Sequence, residues 1–462
     1  MKYYLNKSIF FKYAVFALLI IRAFFNAVIP LMDKTEARYS EIARIMSETN
    51  NWITPQIDYG VPFWAKPPLS TWLSALSFSA FGVTEFTARL PSLLLSIALL
   101  FLTGKYATRK NLPFYLPAFI LLTLPEFFLH AGVVSTDTAL TFCLSLVMLS
   151  FWEAMQANGK WYWKYLIFIG LGFGLLAKGP IIGILTVPPL ILWLIINKKW
   201  TLFFNQIPLV SGTLIVLLIA APWYYLAEKE TEGFIDYFIV GEHFKRFFDS
   251  SWKGDKYGFP KSQVLGMIWV FLFLFTLPWL QALLVKLWPN KKNILQDKWV
   301  VFLLLWLLWT PLFFTVSKSL IHPYIMPVMI PIALLVVSLW QNIKQKKGLI
   351  IGSTVLPLLT VVVFIYSSYH NYIQQYANTD KYLIESLNEQ YKIYHLKNKS
   401  YSSQFYSKGK IEILPQKKLL YLKPTSAVII THKDYQKLND TIKNQLTLFQ
   451  KNRKKGVYHT KQ

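Results

Sequence analysis

The chain has 462 residues, 54% of them hydrophobic and 15% charged, against roughly 25% charge in an ordinary soluble domain. With a mean hydropathy of +0.37, that balance excludes a cytosolic globular enzyme and the disordered and fibrous classes, while a single cysteine, Cys143, excludes a disulfide framework and a Cys-based zinc site. The 48 basic residues outnumber the 23 acidic ones by 25, yet they sit in short loops between apolar runs and in the C-terminal tail, a pattern that reports membrane orientation rather than nucleic-acid binding.

A spanning helix needs about 20 mostly apolar residues. Runs of that kind lie near 11–31, 89–106, 113–130, 137–155, 163–177, 180–196, 205–226, 263–285, 299–316, 323–340 and 348–367, so the expectation is an all-α polytopic protein with about 11 spans, in a range of roughly 10–13. The first run follows Lys2, Lys7 and Lys12 like a signal sequence, but no small-x-small site follows it, and it is read as uncleaved. With the N-terminus inside, the loops carrying Lys105, Arg109 and Lys110, then Lys160 and Lys164, then Lys198 and Lys199 all fall on one side. So do Lys286, Lys291, Lys292 and Lys298, and finally Lys344, Lys346 and Lys347; the positive-inside rule gives one consistent orientation. Lys178-Gly179-Pro180 is either a hairpin tip or a break in one long helix.

The opposite side receives 32–88, 131–136, 227–262 and 317–322. In 32–88, Ile42, Ile45 and Met46 share one helical face, as in a helix lying in the interface plane. Asp33 and Glu36 stand at i,i+3, either as N-cap and dipole partner of that helix or as a pair of functional carboxylates. Lys66 stands before two stiffening prolines in Trp64-Ala65-Lys66-Pro67-Pro68-Leu69, placed either to meet a lipid phosphate or to snorkel. Asp137 in Ser135-Thr136-Asp137-Thr138 reads as an N-cap or as a functional acid. Glu242-His243-Phe244-Lys245-Arg246-Phe247 gathers an acid, an imidazole and a guanidinium suited to bidentate phosphate contact. Ser317-Lys318-Ser319 and His322-Pro323-Tyr324 form a polar cluster at a late span, and Cys143 reads as a buried small hydrophobe.

Beyond about residue 370 the chain turns polar and Lys-rich, with β-prone runs 411–414 and 427–430 and a helix-like stretch from Tyr435 to Phe449. The expected organisation is therefore a transmembrane unit over 1–369, with 32–88 as its first outer loop, and a small outer-side α/β domain over 370–462. Charges gathered at span ends on one face suit a lipid-linked anionic substrate that enters from the bilayer.

Thr35-Glu36-Ala37-Arg38-Tyr39-Ser40-Glu41-Ile42, Lys66-Pro67-Pro68-Leu69, Glu242-His243-Phe244-Lys245-Arg246-Phe247 and Ser317-Lys318 through Tyr324, with Asp137 and Lys178-Gly179, carry a resemblance. In these the first 370 or so residues resemble the polytopic GT-C glycosyltransferases of the protein O-mannosyltransferase superfamily, and most of all the bacterial branch that transfers aminoarabinose to lipid A. The resemblance implies transfer of one sugar from a polyprenyl-phosphate donor to a lipid, glycan or protein acceptor at the periplasmic face of the inner membrane. It implies Asp33 or Glu36 as the catalytic carboxylate and Lys66 and Arg246 at the donor phosphate. Arg38, Tyr39, Asp137, Glu242, His243, Lys318 and Tyr324 would line or order the cavity. Three features depart from the family pattern: Thr35-Glu36 in place of an acidic pair, Ala65 in place of a Glu before the Lys-Pro, and Lys256-Tyr257-Gly258-Phe259-Pro260 after the Glu-His motif. An alcohol acceptor needs a general base, whereas a phosphate acceptor is already ionised. No cofactor is required when two cations neutralise the leaving phosphate, and a divalent metal remains compatible. The rival reading, a transporter or flippase for a lipid-linked sugar, calls for internal repeats and mid-membrane charges, and no repeat stands out.

Overall fold

The computed structural model is described for residues 2–157, 159–249, 252–257, 262–287, 296–387 and 391–460, with side chains from Ser8 onward. Gly258, Phe259 and Pro260 and the loop residues Lys291 and Lys292 lie outside the described residues. Helix α1 (Lys2–Val28) leads through an irregular turn into α2 (Glu36–Thr49), a short antiparallel ribbon of β1 (Gln56–Asp58) and β2 (Val61–Pro62), and α3 (Leu69–Phe81). Then follow α4 (Glu85–Thr108), α5 (Leu116–Thr123), α6 (Pro125–His130), α7 (Thr136–Ala154), α8 (Trp161–Lys178), α9 (Ile181–Asn197), α10 (Trp200–Gln206) and α11 (Leu209–Glu230).

Local chemistry sets the boundaries. Thr84 starts α4 through a capping box with Thr87, and the Ser135 hydroxyl accepts the Asp137 amide at the head of α7. Leu124 is extended before Pro125, which separates α5 from α6 within the run expected to span as 113–130. Gly179 at φ +76° followed by Pro180 divides α8 from α9, so two helices replace one long one.

Among the described residues, five helices are long and apolar enough to cross a bilayer, or six if the pair Met267–Phe275 and Trp279–Leu287, bent by 102°, counts as one. Leu69–Phe81, Ile181–Asn197, Lys298–Phe314 and His322–Ser338 are apolar but shorter. The segment Lys346–Tyr369 has a mean hydropathy of 2.4 with 11% of its most apolar window buried, and Leu209–Glu230 has 17% buried. Helices this apolar with their sides open are stable only where the surrounding solvent is itself apolar. By contrast, α5 and the stretch Met329–Val337 are enclosed on all sides and form the centre of the core with Trp279, Phe302 and Trp306. Cys143 is buried among them.

Helix α2 does not lie as a one-sided interface helix. Ten of its fourteen residues are buried, because α3 packs on one side and a short helix of the tail, Tyr401–Tyr406, covers another. The tail also contains a five-stranded mixed sheet in the order β4-β3-β5-β7-β6. Its strands are β3 (Lys392–Leu396), β4 (Glu412–Leu414), β5 (Ser426–Thr431), β6 (Leu446–Lys451) and β7 (Lys455–Thr460). The central strand β5 pairs parallel with β3 and antiparallel with β7, and Ser426 through Ile430 are all buried. The tail grips the segment between α1 and α4: the Tyr406 hydroxyl receives the Leu31 amide at 2.7 Å, and Lys381 pairs with Glu85 at 2.5 Å.

Candidate active site

Lys66 is held by the proline-stiffened turn just before α3 and reaches a segment far along the chain. Its Nζ donates to Glu242 Oε2 at 3.0 Å and to the Ala65 carbonyl at 2.6 Å. Glu242 sits on a π-helical stretch, Asp236–Lys245, whose wider turn runs directly into Arg246. Arg246 Nη1 donates to both oxygens of the same carboxylate, at 2.9 and 3.0 Å, and Asp255 lies 3.5 Å from it. The Glu242 side chain is 2% exposed while Lys66 and Arg246 are each 20% exposed. Burial pushes the Glu242 carboxyl up, but the two cations outweigh it and hold it below the usual carboxylate range. One acid thus fixes two cations whose side chains stay partly exposed.

A second ion pair lies beside the first. Asp137, in the first turn of α7, meets Lys178 Nζ at 2.5 Å, and that ammonium lies 4.4 Å from the centre of the Tyr324 ring. Ser135, not Asp137, is the N-cap, which frees the Asp137 carboxylate for this contact. Lys66 is close enough to interact electrostatically with Asp137 and with His243, and Tyr324 with Arg246 and Lys178. The His243 ring lies between two carbonyls, Nδ1 at 2.8 Å from that of Phe238 and Nε2 at 3.2 Å from that of Lys178. Burial pushes its pKa down, so the ring is neutral and ties the π-helical stretch to the end of α8. Gly179 makes that approach possible: a Cβ there would come within 2.6 Å of the Phe238 ring and 3.2 Å of the His243 ring.

The first-loop residues divide. Arg38 Nη1 donates to the Tyr257 carbonyl at 2.7 Å and lies over the rings of Tyr39, Phe63 and Tyr401, binding the 252–257 segment to the turn before Lys66. Tyr39 packs edge-on against Phe63 and is within electrostatic reach of Lys178. Glu36 is locked: Arg89 donates to its two oxygens at 2.9 and 2.7 Å, and the Val134 amide adds a third bond at 3.3 Å. Arg89 also donates to the carbonyls of Asn26, Ile29 and Pro30, so the pair fastens the end of α1 to α2 and α4. Burial raises the Glu36 pKa, but Arg89 overcomes it and the group stays ionised.

Asp33 precedes α2 and does not cap it; Thr35 is the N-cap, without a side-chain bond. The two acids therefore do not share a helical face. Asp33 accepts instead from the Ser402 amide at 2.9 Å and the Ser402 hydroxyl at 2.6 Å. Burial lifts its pKa above the usual range despite those bonds. Lys318 is not drawn into the cluster: its side chain is exposed and its backbone carbonyl accepts from Gln263. The sequence motifs pointed to Lys178 only through its following glycine, and nothing in the sequence signalled that Ser402 would meet Asp33 across 369 positions.

The family model for dolichyl-phosphate-mannose-protein mannosyltransferases matches residues 10–238. An undecaprenyl phosphate-alpha-4-amino-4-deoxy-L-arabinose arabinosyl transferase of Pseudomonas fluorescens is 26% identical over 349 residues, 72% of this chain and 60% of that protein. Its counterpart in an Enterobacter species is 29% identical over 325 residues, 66% of this chain and 54% of that protein. The N-terminal part of the chain is thus similar in sequence to the dolichyl-phosphate-mannose-protein mannosyltransferases. The chain spans little more than half the length of these curated relatives. The GT-C fold is confirmed by the crystal structure of ArnT from Cupriavidus metallidurans bound to undecaprenyl phosphate, which superposes with a TM-score of 0.79 at 16% identity, over 96% of this chain and 97% of that one. The same protein in the apo state gives 0.74. In this GT-C fold the segments between α1 and α3 and between α11 and Met267 supply the first ion pair, while the head of α7 and the end of α8 supply the second, with the Tyr324 ring against it.

Proposed function

We propose that this protein is a membrane glycosyltransferase that moves one sugar, a pentose of the aminoarabinose kind, from a polyprenyl-phosphate donor to an acceptor at the periplasmic face of a bacterial inner membrane. The observation that carries this reading is the pair of partly exposed cations, Lys66 and Arg246, held on one buried carboxylate, Glu242. A phosphate that arrives there finds two positive groups already positioned, which is what a departing polyprenyl phosphate needs. Lys178, balanced by Asp137 and covered by Tyr324, adds a third cation nearby. The curated relatives are named for transfer from undecaprenyl phosphate aminoarabinose, and the structural neighbour contains undecaprenyl phosphate.

In this mechanism the acceptor oxygen attacks the anomeric carbon in a single displacement with inversion, and the polyprenyl phosphate leaves with the bonding electrons. Asp33 is the carboxylate assigned to the acceptor. Glu36 is engaged by Arg89, whereas Asp33 opens on a cleft of about 210 Å³ that Arg453, Lys454 and Lys455 also line. A basic wall of that kind suits an anionic acceptor such as a phosphorylated lipid. The N-terminus is cytoplasmic, residues 1–369 form the transmembrane unit, residues 370–462 form the periplasmic unit, and the shorter and broken apolar helices complete about 11 crossings.

The test follows sugar transfer in membranes from a synthetic polyprenyl-phosphate donor. Lys66→Ala and Arg246→Ala should each lower turnover by about 10²–10³-fold, the usual cost of removing one preorganised charge-stabilising group. Normal turnover in both variants would overturn the phosphate site.

A further inference from the structure

A cluster that uses none of these groups lies on α6. Glu126 and His130 stand one helical turn apart and so share a face. His322, the first residue of the 3-10 segment His322–Val328, closes on them from the other side. Glu126 Oε1 is 3.0 Å from His130 Nδ1, and Glu126 Oε2 is 3.0 Å from His322 Nδ1. One ligand atom from each of the three lies within 4.8 Å of the others.

The environment is graded. Glu126 is fully buried and the His130 side chain is 8% exposed, but that of His322 is 39% exposed. Around His322 the wall is aromatic, with Phe275 stacked on its ring at 4.7 Å and Phe271 edge-on to it. A buried carboxylate in such a wall must be compensated by positive charge. A divalent cation supplies it. Two imidazoles and one carboxylate are a borderline donor set that suits zinc-class ions, with three protein ligands and one position left open. Ligand atoms at about 2.0–2.2 Å from such an ion stand roughly 3.3–3.5 Å apart, close to the two 3.0 Å separations that Glu126 makes. The backbone of this turn is tied down as well: the His130 carbonyl accepts from the Thr138 hydroxyl at 3.2 Å, next to Asp137.

We propose that Glu126, His130 and His322 form a divalent transition-metal site of the zinc class, its fourth position facing the opening beside His322. The ion fastens α6 to the segment that carries Tyr324, two residues beyond His322, and so fixes the ring that covers Lys178. The site shares no residue with the Lys66–Arg246 phosphate site.

The experiment uses the full chain purified in detergent, stripped with a chelator and titrated with Co²⁺ as a visible probe. The expected result is saturable binding of a single equivalent with the intense visible bands of a low-coordinate cobalt site, abolished by competing Zn²⁺. His322→Ala and Glu126→Gln should each weaken binding by more than the roughly 10–100-fold that loss of a mere outer-shell partner costs. Because His322 is partly exposed, its variant should elute as the wild type does on size exclusion; the wild-type titration decides the matter in any case. Zn²⁺ should raise the thermal midpoint of the wild type and not that of His322→Ala. Absence of saturable cobalt binding in the wild type, or equal affinity in both variants, would show a hydrogen-bonded carboxylate between two imidazoles and overturn the metal site. None of these readouts depends on sugar transfer, so they stand or fall apart from the enzymatic reading.

Discussion

Two acids three positions apart, Asp33 and Glu36, have different fates because of what faces them. Glu36 meets Arg89 in a buried bidentate pair, and removal of one partner from such a pair costs about 3–5 kcal/mol, since the other charge is left without compensation. Glu36→Gln should therefore lower the thermal midpoint of the detergent-purified protein sharply, with transfer by the surviving folded fraction reduced far less. Asp33→Asn should do the reverse. Its pH behaviour follows from burial, which raises the folded pKa above the unfolded one. Between the two values the folded state holds the extra proton, so any stability from this group is full at low pH and fades as pH rises through the folded pKa. Where the attacking oxygen of the acceptor is a hydroxyl, the ionised form of Asp33 is the one that takes its proton, so a pH–rate profile should fall towards acid with a midpoint above the ordinary carboxylate value of about 3.9. Asp33→Asn should remove that limb. The motif at 35–42 was legible in the sequence, but its division of labour was not, because Arg89 and Ser402 come from elsewhere in the chain.

At the scale of elements, the boundary between α8 and α9 carries more than a change of direction. Gly179 has φ +76° and ψ −152°, a region in which a side chain costs about 1–3 kcal/mol. An added methyl would also press on Phe238 and His243. The π-helical stretch that carries Glu242 and Arg246 would then have to move, so Gly179→Ala should depress transfer at saturating donor while the protein stays folded by size exclusion. Restoring glycine is the only repair, since no side chain relieves the backbone. Long apolar runs such as 348–367 were legible as helices from composition alone. The run 113–130 contains Leu124-Pro125 and the run 263–285 contains Leu277-Pro278, and there the chain turns inside what hydropathy reads as one crossing. Hydropathy averages over such breaks, and backbone chemistry decides them.

For the whole molecule, the tail and the segment between α1 and α4 form one packed surface through Asp33–Ser402, Leu31–Tyr406 and Glu85–Lys381. The β-prone character of 411–414 and 427–430 was visible in the sequence, whereas the docking was not, since each of these contacts joins residues some 300 or more positions apart. The contacts bind the tail to the face that carries Lys66, so both must lie on one side of the membrane. Thiol labelling tests this with little background, because the single native thiol, Cys143, is buried in the bundle. Tyr421, 82% exposed on the tail, and Trp161, 71% exposed at the start of α8, provide opposite reporters. With the positive loops inside, Tyr421→Cys should react with a membrane-impermeant maleimide applied to the outer face of intact spheroplasts, and Trp161→Cys should react only after lysis. The opposite pattern would invert the orientation and place the Lys66–Arg246 site in the cytoplasm. Charge exchange then isolates the docking itself. Lys381→Glu should speed proteolytic release of the tail, and the double variant Lys381→Glu with Glu85→Lys should slow it again, because the reversed pair restores the same short contact between the tail and the head of α4.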